Sequence, residues 1–367
     1  MKGFIDNINF YELEAMKYYA PPASWSQEKK EQTAKSRIFS GEWYGARKRD
    51  GSWWMFIKDE DGNMFLRGRS KGVDGTYPDK IEWVPHLNSF FSKLPNKTVL
   101  LGELYLPSKE QSRYVTTILG CLKEKAVERQ NKGEKLKFYV FDVLAYNDDI
   151  RLSTEASARF SKLESLKSMY PDPNIEWASY VTGEELWTTL QTILADGGEG
   201  MVITRGGAPY QPGKRPSGDT LKVKKEIQET IDCFFTGKAT SPSHEYNGKE
   251  IQSWTYWENL HTGEMIEGLF YKDYTEGKPI IPVTKPYFKG WAGSLEIGLW
   301  DGEKVVPIGF LSGVADELKA NWKEQKGKVI EVAAMQIESD TKALRHGKML
   351  GFRADKNWKD CTIDQLK

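Results

Sequence analysis

The stretch Lys48-Arg49-Asp50-Gly51 places a lysine and an aspartate at a glycine turn, directly before an apolar strand. A lysine amine is a nucleophile only when it is neutral, which requires burial or neighbouring cations to lower its pKa. A four-residue pattern is often accidental, and a solvated turn is the better explanation of this one when it stands alone. Its interpretation therefore depends on the segments that follow.

Five later segments carry charged or aromatic side chains in or beside apolar strands, in the order Leu66-Arg67-Gly68-Arg69, Gly102-Glu103, Phe141-Asp142, Glu199-Gly200 and Leu221-Lys222-Val223-Lys224. Carboxylates in such strands are costly unless they are paired, so Glu103 and Glu199 predict either a Mg²⁺ site or salt bridges to lysines. Lys222 and Lys224 share one face of a strand, which suits phosphate oxygens or an exposed sheet edge. Phe141 is either a core residue or a stacking platform for a base.

Charge is balanced overall but clustered locally. The 367 residues carry 52 Lys and Arg against 52 Asp and Glu, and on its own this net charge of zero argues against nucleic-acid binding, because such proteins usually carry a basic excess. Six bases against one acid lie in each of the segments 205–225 and 342–359, which predicts local phosphate binding, or else two solvated surfaces. We expect an intracellular, cytoplasmic protein, because the sequence has no membrane-length apolar run, no secretory signal and an odd cysteine count.

The chain divides by its secondary-structure pattern. Strand and helix signals alternate from about residue 41 to 225, with strands predicted over 52–57, 64–68, 99–106, 138–144 and 200–204. Capping boxes at Ser108 and Thr182 predict helix starts, and residues 1–40 are interpreted as a short polar lead-in. Short strands dominate after residue 230, including one predicted over 329–337, while 240–290 stay unassigned.

In this order the segments resemble the motif series of the covalent nucleotidyltransferases, the superfamily of ATP-dependent DNA ligases, RNA ligases and mRNA-capping guanylyltransferases. Lys48–Gly51 matches their KxDG nucleophile motif, and the later motifs match at Arg69, Glu103, Phe141, Glu199, Lys222 and Lys224. The run Arg345-His346-Gly347, followed by Arg353-Ala354-Asp355-Lys356, resembles the last motif of DNA ligases. The resemblance covers roughly residues 35–367.

The resemblance implies an α+β fold, with an ATP-grasp-like nucleotidyltransferase (adenylation) domain of antiparallel sheets and helices over residues 1–230 and an OB-fold β-barrel over 231–367. It implies an ATP-dependent DNA ligase of the minimal phage or virus type. Such an enzyme seals 5′-phosphate/3′-hydroxyl nicks through a lysyl-AMP and a DNA-adenylate. We expect a monomer that acts on nicked duplex DNA and does not bind membranes.

The resemblance also implies a role for each matched residue. Lys48 would attack the α-phosphate of ATP, with Mg²⁺, or alternatively Mn²⁺, held by Glu103 and Glu199. Phe141 would stack on adenine, and Asp50 would assist at the nick. The nucleotide phosphates would bind Lys222 and Lys224, and Arg69 would serve both nucleotide binding and catalysis. The leaving pyrophosphate would be oriented by Arg345, Arg353, Asp355 and Lys356.

Three positions depart from the family pattern. Trp53 stands where the family has an arginine that helps to hold the ribose, Thr204 stands where a basic residue is common, and Gly347 replaces a proline. The alternatives are an RNA ligase, a GTP-using capping enzyme, or a nucleic-acid-binding protein that kept the fold without catalysis. Trp53 is the feature that supports the last of these.

Overall fold

The computed structural model describes residues 2–22, 25–72, 75–224, 230–248, 251–269, 279–333, 336–337, 344–345 and 347–366. The chain forms two compact units, Met1–Lys225 and Glu226–Lys367. Among the described residues, no helix has both the length and the apolar character needed to cross a bilayer.

The first unit is built around a six-stranded sheet. Across the sheet the strands are Met64–Gly68, Ser52–Lys58, Thr98–Tyr105, Lys137–Tyr146 and Asp149–Ile150, all antiparallel, with Ile175–Trp177 parallel to Lys137–Tyr146. Both faces are covered, since Phe56 and Leu100 pack into one apolar cluster while Met55 and Leu101 pack into another. This explains why these strands are continuous apolar runs rather than alternating ones.

A second, four-stranded antiparallel sheet completes this unit, in the order Val181–Thr182, Trp43–Arg47, Gly200–Arg205 and Thr220–Lys224. Apolar residues of two helices, Gln27–Ile38 and Gly183–Ala195, pack with it in one buried cluster. The other helices of the unit are Asn88–Lys93, Ser112–Leu119, Lys123–Lys132 and Ala156–Met169, with 3₁₀ turns at Ile81–Trp83 and Pro85–Leu87. The strand predictions from the sequence are confirmed to within two residues at each end.

The lead-in interpretation of residues 1–40 is wrong. The segment contains the strands Phe4–Ile5 and Ile8–Asn9, a twelve-residue helix, and side chains such as Phe10 that are fully buried. The carbonyl of Tyr11 accepts a hydrogen bond at 3.0 Å from Arg67, whose guanidinium is buried and needs such acceptors.

Both predicted capping boxes are also wrong in detail. The helix assigned to Ser108 begins at Ser112, and the Ser108 amide and hydroxyl bind the Glu134 carboxylate instead. Thr182 does precede the helix Gly183–Ala195, but its side chain caps no backbone amide. A carboxylate distant in sequence outcompetes the local cap in the first case, which a local pattern does not reveal.

The second unit is mainly β-structure. Its largest sheet is antiparallel, in the order Val305–Leu311, Leu295–Trp300, Thr230–Ala239, Val329–Ala333 and Lys348–Phe352. Smaller sheets are formed by Glu264–Glu267, Tyr256–Asn259 and Ile280–Pro282, and by Gln336–Ile337 with Leu344–Arg345. The helices are Lys285–Phe288 and Asp316–Ala320, with 3₁₀ turns at Ile251–Ser253, Trp322–Gln325, Trp358–Asp360 and Ile363–Leu366.

Two sequence expectations for this unit need comment. The strand predicted over 329–337 is described as Val329–Ala333 and Gln336–Ile337, and residues 334–335 lie outside the described residues. The unassigned region 240–290 contains the three-stranded sheet, where the Tyr246 and Trp254 rings stack at 3.4 Å between centroids.

A buried ion pair holds the first unit together at Asp142, which the sequence marked only as an acid inside a strand. Arg159 Nε lies 2.9 Å from Asp142 Oδ1 and Nη2 lies 3.1 Å from Oδ2. The two side chains are 3% and 1% exposed. Burying both charges is tolerable because each satisfies the other in a two-point contact.

We predict that Asp142→Ala lowers the free energy of unfolding by about 3–5 kcal/mol, because it leaves the buried Arg159 charge without its carboxylate. Urea unfolding followed by circular dichroism measures the change. The control is Asp149→Ala, which removes a half-exposed partner of Arg151 and should cost less than about 1 kcal/mol. Equal losses in the two variants would contradict the assigned role.

Candidate active site

Lys48 directly follows the strand Trp43–Arg47, which pairs with the strand Gly200–Arg205. The Lys48 amide donates a hydrogen bond to the Gly200 carbonyl at 2.8 Å. Gly200 has a φ of +129°, and a Cβ there would lie 2.1 Å from the Val223 carbonyl oxygen. Only glycine fits this position, so Gly200 brings Glu199 beside Lys48 on one side and the lysine-bearing strand on the other.

The Glu199 carboxylate lies between two ammonium groups. Lys48 Nζ lies 2.5 Å from Glu199 Oε2, and Lys224 Nζ lies 2.6 Å from Oε1. The Glu199 side chain is 18% exposed. The structure thus brings together three of the predicted site residues, and it makes Glu199 a shared counter-charge for two lysines.

Glu103 approaches the same lysine from the six-stranded sheet. Its Oε1 accepts a hydrogen bond from the Gly51 amide at 3.0 Å, and a Cβ at Gly51 would lie 2.2 Å from the Leu104 carbonyl oxygen. Burial raises the pKa of Glu103 to about 7, against the opposing effect of the Lys48 charge. A carboxyl with so high a pKa lacks full compensation for its negative charge.

The pKa of Lys48 differs from the expectation for a nucleophile. Burial lowers it, as expected, but the carboxylates of Glu103 and Glu199 outweigh burial and raise the pKa above its usual value. The amine is therefore an ion-paired ammonium in this structure. It has to lose a proton before it can attack, and Glu199 Oε2 is hydrogen-bonded to it.

Lys222 and Arg69 supply further positive charge. Burial, together with the charges of Lys48 and Lys224, lowers the pKa of Lys222 to about 8. Within the part of the chain that the structure describes, no hydrogen bond or ion pair reaches the ammonium of Lys222 or the guanidinium of Arg69. Arg69 is exposed just beyond the strand Met64–Gly68, and its charge acts on Lys222. These two groups are available to an anion.

Aromatic residues flank the charged cluster. The half-buried Phe141 contacts Tyr18 edge to face, at 6.3 Å between ring centroids, and the two pack against the same apolar cluster as Trp53. Trp53 is paired with Glu103 across neighbouring strands, and the Arg67 guanidinium lies 5.7 Å from its ring. Tyr18 was not identified from the sequence, because residues 1–40 read as a polar lead-in without a role in the site.

Asp50, the aspartate of the Lys48–Gly51 stretch, is partly exposed, and its charge acts on both Lys48 and Glu103. The Asp50 amide donates a long hydrogen bond of 3.4 Å to the Glu110 carboxylate. Glu110, too, was not identified from the sequence. It lies in the polar segment between a strand and a helix, where acids are common and carry no distinguishing pattern.

In the second unit, the structure brings three residues of the C-terminal motif together with Asp232, which lies outside the motif. Arg353 Nη1 lies 3.1 Å from Asp232 Oδ1 and Arg353 Nη2 lies 2.9 Å from Asp355 Oδ2, while Lys356 Nζ binds Asp232 Oδ2. Asp232 was not identified from the sequence, since it lies about 120 positions earlier in a strand that reads as ordinary core. Arg345 ends the strand Leu344–Arg345, and its side chain and His346 lie outside the described residues.

Known proteins resemble this chain in sequence and in fold. The family model for the ATP dependent DNA ligase domain matches residues 27–224. A DNA ligase of Methanocorpusculum labreanum is 26% identical over 182 residues, which are 48% of this chain and 32% of that protein. The match thus spans about a third of the length of the curated relative.

Two solved structures share the fold. One comes from a structure–function study of Lig E DNA ligases, with a TM-score of 0.53, 18% identity, and coverage of 93% of this chain and 98% of that one. The other, Pmar-Lig_PreS3, has a TM-score of 0.54 and 15% identity over 88% of this chain and 66% of that one. Because the family model matches more than half of the residues, the chain belongs to the ATP-dependent DNA ligase domain family.

Proposed function

We propose that this protein is an ATP-dependent DNA ligase that seals 5′-phosphate/3′-hydroxyl nicks in duplex DNA. The observation that carries the proposal is the contact of Lys48 with Glu199, beside Lys222 and Arg69 without partners among the described residues. A binding protein needs cations for phosphates, but it does not need a buried lysine paired with a proton acceptor.

The residues support three displacements at phosphorus. In the first, the Lys48 amine forms a P–N bond to the α-phosphate of ATP, the bond to the β-phosphate breaks, and pyrophosphate leaves. The ammonium of Lys48 first passes one proton to Glu199, which already accepts a hydrogen bond from it. The second proton, released from the nitrogen as the P–N bond forms, leaves with pyrophosphate. Lys222 and Lys224 neutralise the α-phosphate oxygens, and Phe141 stacks on the adenine ring.

The next two steps transfer and then release AMP. An oxygen of the 5′-phosphate attacks the lysyl-AMP, the P–N bond breaks, and Lys48 regains its proton as the DNA-adenylate forms. The 3′-hydroxyl then attacks the 5′-phosphate, the phosphoanhydride bond to AMP breaks, and AMP leaves with the hydroxyl proton, while Asp50 assists at the nick. Each step depends on alignment and charge neutralisation, which the fixed positions of Lys48 and Glu103 favour.

The site suits a divalent ion that protein carboxylates and substrate phosphates coordinate together. Among the described residues, no three His, Cys, Asp or Glu side chains form a cluster that could bind a metal. Mg²⁺ commonly takes one or two carboxylates together with substrate phosphates. Glu103 suits this role because its charge is poorly compensated, and Glu199 is the second candidate, although both its oxygens bind lysines. The ion would supply charge neutralisation at the phosphates.

We also propose that residues 1–230 form the adenylation domain and 231–367 an OB-fold. The strand order of the five-stranded sheet in the second unit supports this. When its strands are counted along the chain, the first, Thr230–Ala239, lies between the second, Leu295–Trp300, and the fourth, Val329–Ala333. An OB-fold is a five-stranded, partly open barrel. Leu344 and Met349 pack against the same core as the edge strand Val305–Leu311, which favours closure of the sheet.

The nucleophile assignment predicts that Lys48→Arg abolishes covalent labelling by radioactive ATP while the protein stays folded. Arginine retains the positive charge beside Glu199 but is not a nucleophile at any accessible pH. Parallel incubations with GTP and NAD identify the donor. Label from GTP would indicate a capping enzyme, and label that persists in Lys48→Arg would refute the assignment of Lys48.

The low pKa of Lys222 predicts pH-dependent nucleotide binding. In unreactive Lys48→Arg protein, ATP affinity should weaken as pH rises above about 8, because Lys222 loses its proton there. The loss approaches about tenfold per pH unit. Calorimetry between pH 7 and 9.5 measures it. Adding Lys222→Met should remove the dependence, and an unchanged slope would contradict the phosphate-binding role.

The C-terminal motif predicts a step-specific defect. Lys356→Ala should slow lysyl-AMP formation about tenfold or more, because one cation that stabilises the leaving pyrophosphate is lost. Sealing of a pre-adenylated nick should change less than about threefold. Lys359→Ala removes an exposed ammonium from the same segment and serves as the control. Equal loss in both steps would contradict this division of labour.

A further inference from the structure

Arg49, the residue between Lys48 and Asp50, is bound by two carboxylates that the mechanism above does not use. Its Nη1 lies 2.7 Å from Glu110 Oε2, and its Nη2 binds Glu176 Oε1. The side chain is 13% exposed, and its guanidinium carbon lies 4.7 Å from the centre of the Tyr105 ring. A nearly buried cation held by two carboxylates and an aromatic ring has little freedom to move.

The partners of Arg49 lie in strands of the six-stranded sheet or in the segment that follows one of them. Tyr105 ends its strand Thr98–Tyr105, Glu110 follows that strand, and Glu176 lies in Ile175–Trp177. The Tyr105 hydroxyl donates to Glu176 Oε2, which fixes this carboxylate in turn. The neighbouring Lys48 instead binds the four-stranded sheet, through the Gly200 carbonyl and Glu199. Two adjacent residues therefore attach one loop to two different sheets.

Glu110 holds this loop on both sides of Lys48. Besides the Arg49 guanidinium, it contacts Arg47 Nη2 at 3.4 Å and accepts the Asp50 amide at 3.4 Å. These contacts are long, so the short bond to Arg49 is the principal one. Lys48 contacts the four-stranded sheet and Arg49 contacts residues of the six-stranded sheet, so the position of Lys48 relative to Glu103 depends on both attachments.

We propose that Arg49 is a positioning residue for the nucleophile. By binding Glu110 and Glu176, it fixes the Lys48 loop on the six-stranded sheet and sets where the Lys48 amine lies relative to Glu103. Arg49 does not touch the reacting atoms, because its guanidinium is bound to these two carboxylates. The inference rests on the proposed adenylation activity and extends it to a residue outside the nucleotide-contacting set.

Single-turnover lysyl-AMP formation in the full chain tests the proposal. Arg49→Gln should reduce the rate at saturating ATP about tenfold to hundredfold, since a displacement of about 1 Å costs up to about a hundredfold. The KM for ATP should change less than about threefold, because nucleotide contacts remain. Glu110→Gln should slow the same step, and the double variant should be at most slightly slower than Arg49→Gln, because the short bond to Arg49 is the principal contact of Glu110.

Arg151→Gln is the matched control. Its side chain is 16% exposed, and it pairs with Asp149 in the same unit, so the same charge and one ion pair are lost. A rate for Arg49→Gln equal to that of Arg151→Gln, or an effect confined to KM, would overturn the proposal. If Arg49→Gln does not fold, Glu176→Gln tests the same contact, and a wild-type rate there contradicts it. Failure of the wild-type chain to label would instead reject the proposed function.

Discussion

One carboxylate, that of Glu199, sets the arrangement on which the rest of the site depends. It lies between the ammonium groups of Lys48 and Lys224, which come from the strands on either side of Gly200–Arg205. The register Gly200↔Lys224 and the bond from the Lys48 amide to Gly200 put all three side chains at the same end of three neighbouring strands. Two half-buried lysines in one place would repel each other without this shared counter-charge.

The site is assembled where two sheets approach each other, and the loop Lys48–Gly51 is the connection. Glu103 and Trp53 are contributed by the six-stranded sheet, whereas Glu199 and Lys222 are contributed by the four-stranded one. Both sheets pack their apolar side chains into buried clusters, which makes them rigid supports for the charged groups of the site. The lowered pKa of Lys222 shows that burial and the neighbouring cations destabilise its charge, as expected for a site that binds a polyanion.

Much of this could be predicted from the sequence because it is local. The strands have clear apolar patterns, and the order of the motifs from Lys48 to Lys224 led to the ligase resemblance, which the family model confirms. The sequence could not show Arg159 as the partner of Asp142, or Glu110 and Glu176 as the partners of Arg49. These contacts join residues 17 to 127 positions apart and follow from tertiary packing.

The remaining differences have physical causes of the same kind. Residues 1–40 are polar on average, yet Phe10 and Tyr11 are buried in the core, and the Tyr11 carbonyl is one of the acceptors of the buried Arg67 guanidinium. The sign of the Lys48 pKa shift depends on whether burial or carboxylates dominate, which only distances decide. Asp232 could not be identified from the sequence, because nothing in the residues around a buried acid indicates which distant residue will pair with it.

In the proposed reaction Lys48 carries the nucleotide, and peptide mapping of the adenylated protein locates the modified residue. The protein is incubated with ATP and Mg²⁺, digested, and analysed by mass spectrometry for peptides that bear AMP. The account predicts one AMP adduct, on Lys48, that is lost on mild acid treatment because the bond is a phosphoramidate. An adduct on Lys222, Lys224 or any other residue would contradict it, as would an adduct on Lys48 that survives acid.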